Sequence, residues 1–238
     1  MTIETVVGTL AEVYKLLRPK SIRHVDELMT ERRTNEKLCG QWFYTADGEV
    51  YSLQGEDRTP TLAITRGSSN PLLQDSTINR YCRELLQNKN YRPTPDETLR
   101  ALHAQDTVLV DLTKLRLRIV DEEFSYLAID IKKHTTLNPE ERTLAQRVYG
   151  KDEDFTQTMK MLADSGIGET RVYVLNPEYV RTHAQESPLG LSSWLSNFYF
   201  SSGFGANGRN INCHGRARGV RREVVVASES AADAAAKM

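Results

Sequence analysis

No run of apolar residues in this 238-residue chain approaches the roughly 18 needed to cross a bilayer. Its N-terminus, MTIETVVGTLAEVYKLLRPK, also lacks the basic-then-apolar plan of a secretory signal. A cytoplasmic or virion-associated location without a membrane span is therefore expected. Cysteine is scarce: Cys39, Cys82 and Cys213 are odd in number and far apart, which argues against both a disulfide framework and a Cys-x-x-Cys metal site. Idle or buried thiols are the expectation. Net charge is nearly absent, with 31 Lys plus Arg against 32 Asp plus Glu, so no global field recruits nucleic acid or an anionic membrane. No internal repeat is present, which excludes solenoids and propellers. The most specific absence is local. From Leu195 to Arg222 the chain uses Asn, Ser, Gly, aromatics and Arg, without one Lys, Glu, Gln, Asp, Met or Trp.

What is present reads as α+β. Ile3, Val6, Leu10, Val13 and Leu17 recur at helical spacing up to Pro19, which predicts an amphipathic helix. A second helix is predicted over HVDELMTERRTNEKL, closed near Gly40. Residues 41–54 read as a hairpin turning at Asp47-Gly48, a pair that tolerates positive φ, and TLAIT at 61–65 as a short strand. Ser76 opens a predicted helix carrying Ile78, Tyr81, Cys82 and Leu85, and Thr94-Pro95-Asp96-Glu97 opens another. TVLVDL, LRLRIV and FSYLAIDI read as strands; the second alternates and is expected to be half solvated, the third to be buried on both faces. Asn138-Pro139-Glu140-Glu141 starts a helix closed by Gly150. Phe155, Met159 and Leu162 stripe the next, closed by Gly166, and RVYVLN returns as a strand.

Few residues form a credible reactive set. Histidines 24, 103, 134, 183 and 214 never fall at i, i+4, and the adjacent Cys213-His214 would point to opposite faces of a strand, a poor chelator. No metal or other cofactor is expected. Asp121, Glu122 and Glu123 lie between two predicted strands, where a run of acids reads as a solvated turn rather than as an acid and base pair. Gly203-Phe204-Gly205 and Gly208 lack the strand-then-helix context of a phosphate loop. Arg209, Arg216, Arg218, Arg221 and Arg222, with Phe198, Tyr199, Phe200 and Phe204 among or before them, have the make-up of a single-stranded nucleic-acid platform. The competing reading is a half-exposed closing strand, RARGVRREVVV, with solvated Arg side chains.

Read as a unit, LSSWLSNFYFSSGFGANGRNINCHGRARGVRREVV resembles the C-terminal end of C-type-lectin-like folds of the formylglycine-generating-enzyme kind, with Ser193-Trp194 at one end and Gly219-Val220-Arg221 at the other. More specifically, it looks like the variable region of a target protein of a diversity-generating retroelement. In that family an error-prone reverse transcriptase randomises adenines, chiefly in AAC codons. The third base stays a pyrimidine, so Lys, Glu, Gln, Met and Trp cannot arise, and none of these occurs between Leu195 and Arg222.

The resemblance implies a scaffold that tolerates many side chains at its contact positions, much like an antibody paratope. It assigns Trp194, Phe198, Phe204, Ala206, Gly208, Arg209, Ile211, Arg218, Gly219 and Val220 to the scaffold. The ligand-facing variable positions would be Ser196, Asn197, Tyr199, Phe200, Ser201, Ser202, Gly203, Gly205, Asn207, Asn210, Asn212, Cys213, His214, Gly215 and Ala217. Residues 1–100 are expected to form a helical and hairpin region of unknown role. Residues 101–227 would form the lectin-like domain with its variable region at 194–222, and residues 228–238 a disordered tail. The family association implies a non-enzymatic binder of a protein ligand, often displayed as an oligomer. The calcium-ligating triplets of sugar-binding lectins and the paired cysteines of the oxidative enzymes are both missing.

Overall fold

The computed structural model describes residues 2–66, 70, 94–195, 203–206 and 215–222. The chain opens with strand β1, Glu4–Gly8, not with a helix. Thr5, Val6 and Val7 favour extended backbone, and helix α1, Leu10–Leu16, begins only after Thr9, whose hydroxyl accepts from the Glu12 N–H while Glu12 accepts from the Thr9 N–H at 2.7 Å. The apolar spacing spans both elements because one side of the strand and one side of the helix meet the same small core.

Helix α2, Val25–Thr34, is followed by strand β2, Phe43–Gln54. The predicted hairpin at Asp47-Gly48 is absent: β2 runs straight through these residues, and the turn comes at 55–58, where Gly55 (φ 70°) and Arg58 (φ 51°) adopt left-handed conformations before strand β3, Thr59–Thr65. Asp47 is instead a buried anchor. Its carboxylate accepts the Val25 N–H at 2.8 Å, capping α2 from a neighbouring strand, and pairs with Arg66 at 3.1 Å. Gly48 lies at a bulge in the pairing, where a Cβ would stand 2.6 Å from Asn70 Oδ1.

Helix α3, Pro95–Leu102, starts at the expected Thr94 box. Strands β4, Val108–Asp111, β5, Leu117–Ile119, and β6, Phe124–Asp130, follow. The turn before β6 is the solvated one expected of three acids: Asp121 Oδ1 accepts the N–H groups of Glu123 and Phe124. Helices α4, Pro139–Tyr149, and α5, Asp152–Asp164, end near Gly150 (φ 98°) and Gly166 (φ 77°). Strand β7, Glu169–Leu175, leads into two elements the sequence left unmarked, helix α6, Pro177–His183, and strand β8, Leu189–Leu195. Strands β9, Gly203–Ala206, and β10, Gly215–Gly219, complete the described chain. The expected Ser76 helix, with Ile78, Tyr81, Cys82 and Leu85, and the expected tail at 228–238 lie outside the described residues.

The main sheet has the order β4-β3-β2-β8-β9-β7-β6-β5, and β1 and β10 form a separate antiparallel pair. Neighbours in the main sheet are antiparallel except β7 and β9. The division expected at residue 100 does not separate two folding units. Strands β2 and β3 precede it and are hydrogen-bonded to β8 and β4, which follow it. The reason is visible in the core, where Phe43, Tyr51, Leu62 and Ile64 from the first part pack with Leu144, Met159, Val172 and Val174 from the second. A smaller core unites Val6, Leu10, Val13, Tyr14 and Leu17 with Tyr44 and Ala217. Strand β6 is not buried on both faces as its composition suggested: Ser125, Leu127 and Ile129 are buried, whereas Phe124, Tyr126 and Ala128 are half-buried. At the β5 edge Ile119 is 74% exposed. Among the described residues no helix is long and apolar enough to cross a membrane.

Candidate functional site

The segment from Trp194 to Arg222 is carried by three strands. On β8, Trp194 is in register with Tyr44 of β2 on one side and with Gly205 of β9 on the other, and Leu195 with Phe43 and Phe204. β9 then runs parallel to β7, pairing Arg171 with Gly203 and Val172 with Phe204. Of the proposed contact positions, Gly203 and Gly205 therefore occupy a strand inside the sheet. Ser196, Asn197, Tyr199, Phe200, Ser201, Ser202, Asn207, Asn210, Asn212, Cys213 and His214 lie outside the described residues, as do Phe198, Gly208, Arg209 and Ile211 of the expected scaffold.

Two expected contact positions are placed differently. Gly215 is buried beneath the ring pair Trp42 and Tyr44, whose centroids are 5.0 Å apart, and a Cβ there would stand 2.4 Å from the indole. Ala217 is fully buried in the small core. Both belong to β10, where every second residue faces inward, so side chains at 215, 217 and 219 turn away from solvent. Gly219 is equally confined, 2.9 Å separating its would-be Cβ from the Ser21 carbonyl. Alternation along a closing strand was the signal that could have reassigned 215 and 217.

The Arg-rich end is engaged within the molecule. Arg218 pairs with Glu31 at 2.5 Å and donates to the Thr5 hydroxyl, and Glu31 also holds Arg23 at 2.8 Å. Arg221 pairs with Glu4 at 3.2 Å, and Arg222 donates to the Leu17 carbonyl. The backbone continues the clasp, with Arg18 N–H donating to Val220 and Arg23 N–H to Arg218. Val220 N–H in turn donates to the Ser21 hydroxyl. A segment read as a cationic platform thus has three of its five cations, Arg218, Arg221 and Arg222, bound to acids or carbonyls of the first 31 residues.

Beside β9, strands β5 to β7 present a second group that sequence reading missed. Arg118, Tyr126 and Tyr173 stand in one cross-strand row, and Arg171 lies next to it. The tyrosine rings are 5.6 Å apart, and the Arg171 guanidinium sits 4.7 Å above the Tyr126 ring. Arg118 and Arg171 both pair with Glu169, at 3.1 and 3.2 Å. Hydrogen bonds with Tyr126 and Tyr173, followed by the charge and hydrogen bonds of Glu169, hold both guanidiniums above their ordinary value. The signal was the Arg/Tyr alternation in RVYV opposite FSY, hidden because FSYLAIDI reads as a continuous apolar run.

The other titratable groups serve structure. Burial alone would raise the Asp47 carboxyl, but His24, Arg66 and the Val25 N–H outweigh it and hold the group below the usual carboxylate range. Arg66 also reaches Asp26 at 2.8 Å. Arg147 is buried and donates to the Ile64 carbonyl; burial, with Arg66 nearby, pulls it down to about 10. Cys39 is buried and its thiol pushed up by that burial, while Cys82 and Cys213 lie outside the described residues. His134 is held by the Ile131 carbonyl at 2.6 Å and His183 stacks on Tyr179 at 3.9 Å. Among the described residues no three His, Cys, Asp or Glu side chains gather as a metal set.

No family model matches the chain, and no curated protein matches it. A solved structure does: a protein from Nanoarchaeota, reported under the words "accommodation of massive sequence variation in Nanoarchaeota by the C-type lectin fold". It shares 13% identity over 93% of this chain and 98% of that chain, with a TM-score of 0.62. An agreement over nearly the full length of both chains, at an identity too low to arise from shared side chains, makes this chain a C-type lectin fold of the α+β class.

Proposed function

We propose that the chain is the target protein of a diversity-generating retroelement, a non-enzymatic binder that displays a diversified surface between β8 and β10 to a protein ligand. The observation that carries this reading is the anchoring of the segment's ends. β8 enters it already paired with β2, and β10 leaves it buried against β1 and α1, so both ends of the segment are held by residues outside it. The restricted alphabet of 195–222 supports it, because pyrimidine-ended codons exclude Lys, Glu, Gln, Met and Trp, and none of these occurs there. The Nanoarchaeota structure, described in terms of sequence variation on this fold, supports it by analogy. With Gly215 and Ala217 reassigned to the interior, the candidate contact set runs from Ser196 to His214.

Sequencing of the gene's surroundings tests the proposal. A reverse transcriptase and a near-copy of the segment encoding residues 194–222 are expected, differing almost only where the copy has adenine. Mismatches spread over all four bases, or no copy, would sink it. The nucleic-acid reading predicts instead a steep salt dependence for binding single strands. The intramolecular pairs of Arg218 and Arg221 favour the first reading, because those cations would have to be pulled from Glu31 and Glu4.

A further inference from the structure

We infer that the outer face of β5, β6 and β7, built on Arg118, Tyr126, Arg171 and Tyr173, is a sequence-constant flank of the ligand surface that receives a carboxylate-bearing patch of a protein partner. The inference rests on the reading of the 196–214 segment as ligand-facing. Register supplies the continuity: Gly203 of β9 pairs with Arg171, and by the period of two the positions of Gly203 and Gly205 share the face of Arg171 and Tyr173. A ligand meeting the diversified segment at β9 therefore meets these side chains on the next strand, about 5 Å away.

Charge specifies the chemistry. Two guanidiniums share the single Glu169 carboxylate, and Asp130, opposite Glu169 on β6, lies 4.0 Å from Lys133. Among the described residues the row thus carries one cation in excess. The Arg118 and Arg171 side chains are 60% and 42% exposed, open to a second acceptor. A guanidinium fork suits a carboxylate in bidentate geometry, and Tyr beside Arg is the composition of binding hot spots between proteins. One surplus charge is too little for a polyanion, whose binding draws on several cations at once. Tyr126 and Tyr173 offer flat, half-buried area at low entropic cost, which a protein surface uses and a small anion does not.

The test pans a random displayed peptide library on the full-length chain. Peptides enriched in Asp and Glu relative to the unselected library are expected. Panning on R118E/R171E should enrich Lys and Arg instead, and a synthetic peptide selected on the unmodified chain should bind that variant at least about tenfold more weakly. Arg118 is largely and Arg171 partly exposed, and neither lies in the core, so the variant's far-ultraviolet circular dichroism should match that of the parent. A parallel variant, Tyr199→Ala with Phe200→Ala, separates the two readings. Binding lost there but unchanged in R118E/R171E overturns the constant flank and leaves the proposed function standing. Binding lost only in R118E/R171E keeps the flank and overturns the diversified surface. Loss in neither, no enrichment of acids, or tighter binding of oligothymidylate than of any selected peptide overturns the flank.

Discussion

Gly215 sits where a Cβ would come within 2.4 Å of Trp42 and 2.6 Å of Tyr44, two rings locked edge to face. Gly215→Ser is therefore expected to cost about 1–3 kcal/mol through forced displacement of the rings, read as a lower midpoint in urea. Asn207→Tyr, at a position the proposed mechanism would vary, is expected to leave that midpoint unchanged; an equal loss in both variants would remove the distinction between frame and contact position. Asp47 makes a second prediction. Its folded-state pKa is depressed, so the unfolded chain takes up the proton more readily, and its contribution is complete above about pH 4, the ordinary carboxylate value, and lost as pH falls through the folded value. Asp47→Asn should cost about 1–3 kcal/mol at neutral pH, since the charge-assisted bonds to Arg66 and the Val25 N–H are weakened while Arg66 keeps Asp26. The variant should also show a shallower acid limb in denaturation measured between neutral and strongly acidic buffer.

At the scale of elements, the clasp between β10 and the first two helices turns on Arg218 and Glu31, both largely buried from solvent. Replacing each by Ala singly and together should give a coupling of about 1 kcal/mol in a double-mutant cycle, above the few tenths expected of an exposed pair. Zero coupling would mean that the backbone bonds of 218–222 and the contacts of Arg221 and Arg222 hold the clasp without this pair. Legibility in the sequence divides at the same scale. Helices α3, α4 and α5 could be read because their signals are local: Thr94 and Asn138 open two of them, and glycines at 150 and 166 close two. The hairpin at Asp47-Gly48 was misread because a turn-forming pair was recruited by distant groups, the Val25 N–H, Arg66 and Asn70, none of which is near in sequence. The N-terminal strand was hidden for a related reason, since its partner β10 lies some two hundred residues away. Of the proposed site, the alphabet is a property of sequence, whereas the grouping of Arg118, Tyr126, Arg171 and Tyr173 exists only through strand pairing.

Taken whole, the molecule interleaves its early and late residues. Residues 101–238 expressed alone are expected not to unfold cooperatively, because β8 and β4 would lose β2 and β3, and the large core would lose Phe43, Tyr51, Leu62 and Ile64. Amide dispersion in a proton–nitrogen spectrum reads the outcome, and a well-dispersed spectrum from that fragment would restore the boundary at residue 100. At 13% identity over 93% of this chain, the likeness to the Nanoarchaeota structure is one of fold alone. A common fold asks for a common pattern of burial, which many different side chains satisfy.

If the segment is diversified as proposed, the position of β9 has a genetic consequence. Its four residues lie between β8 and β7, joining the half of the sheet made by β4, β3, β2 and β8 to the half made by β7, β6 and β5. Main-chain bonds are indifferent to which side chain a rewritten codon supplies, with one exception. Randomising the first two bases of AAC can yield CCC, and proline has no N–H to give to a central strand. In a population descended from one template, nearly every permitted residue should be found at 203 and 205, and proline should be missing from the survivors.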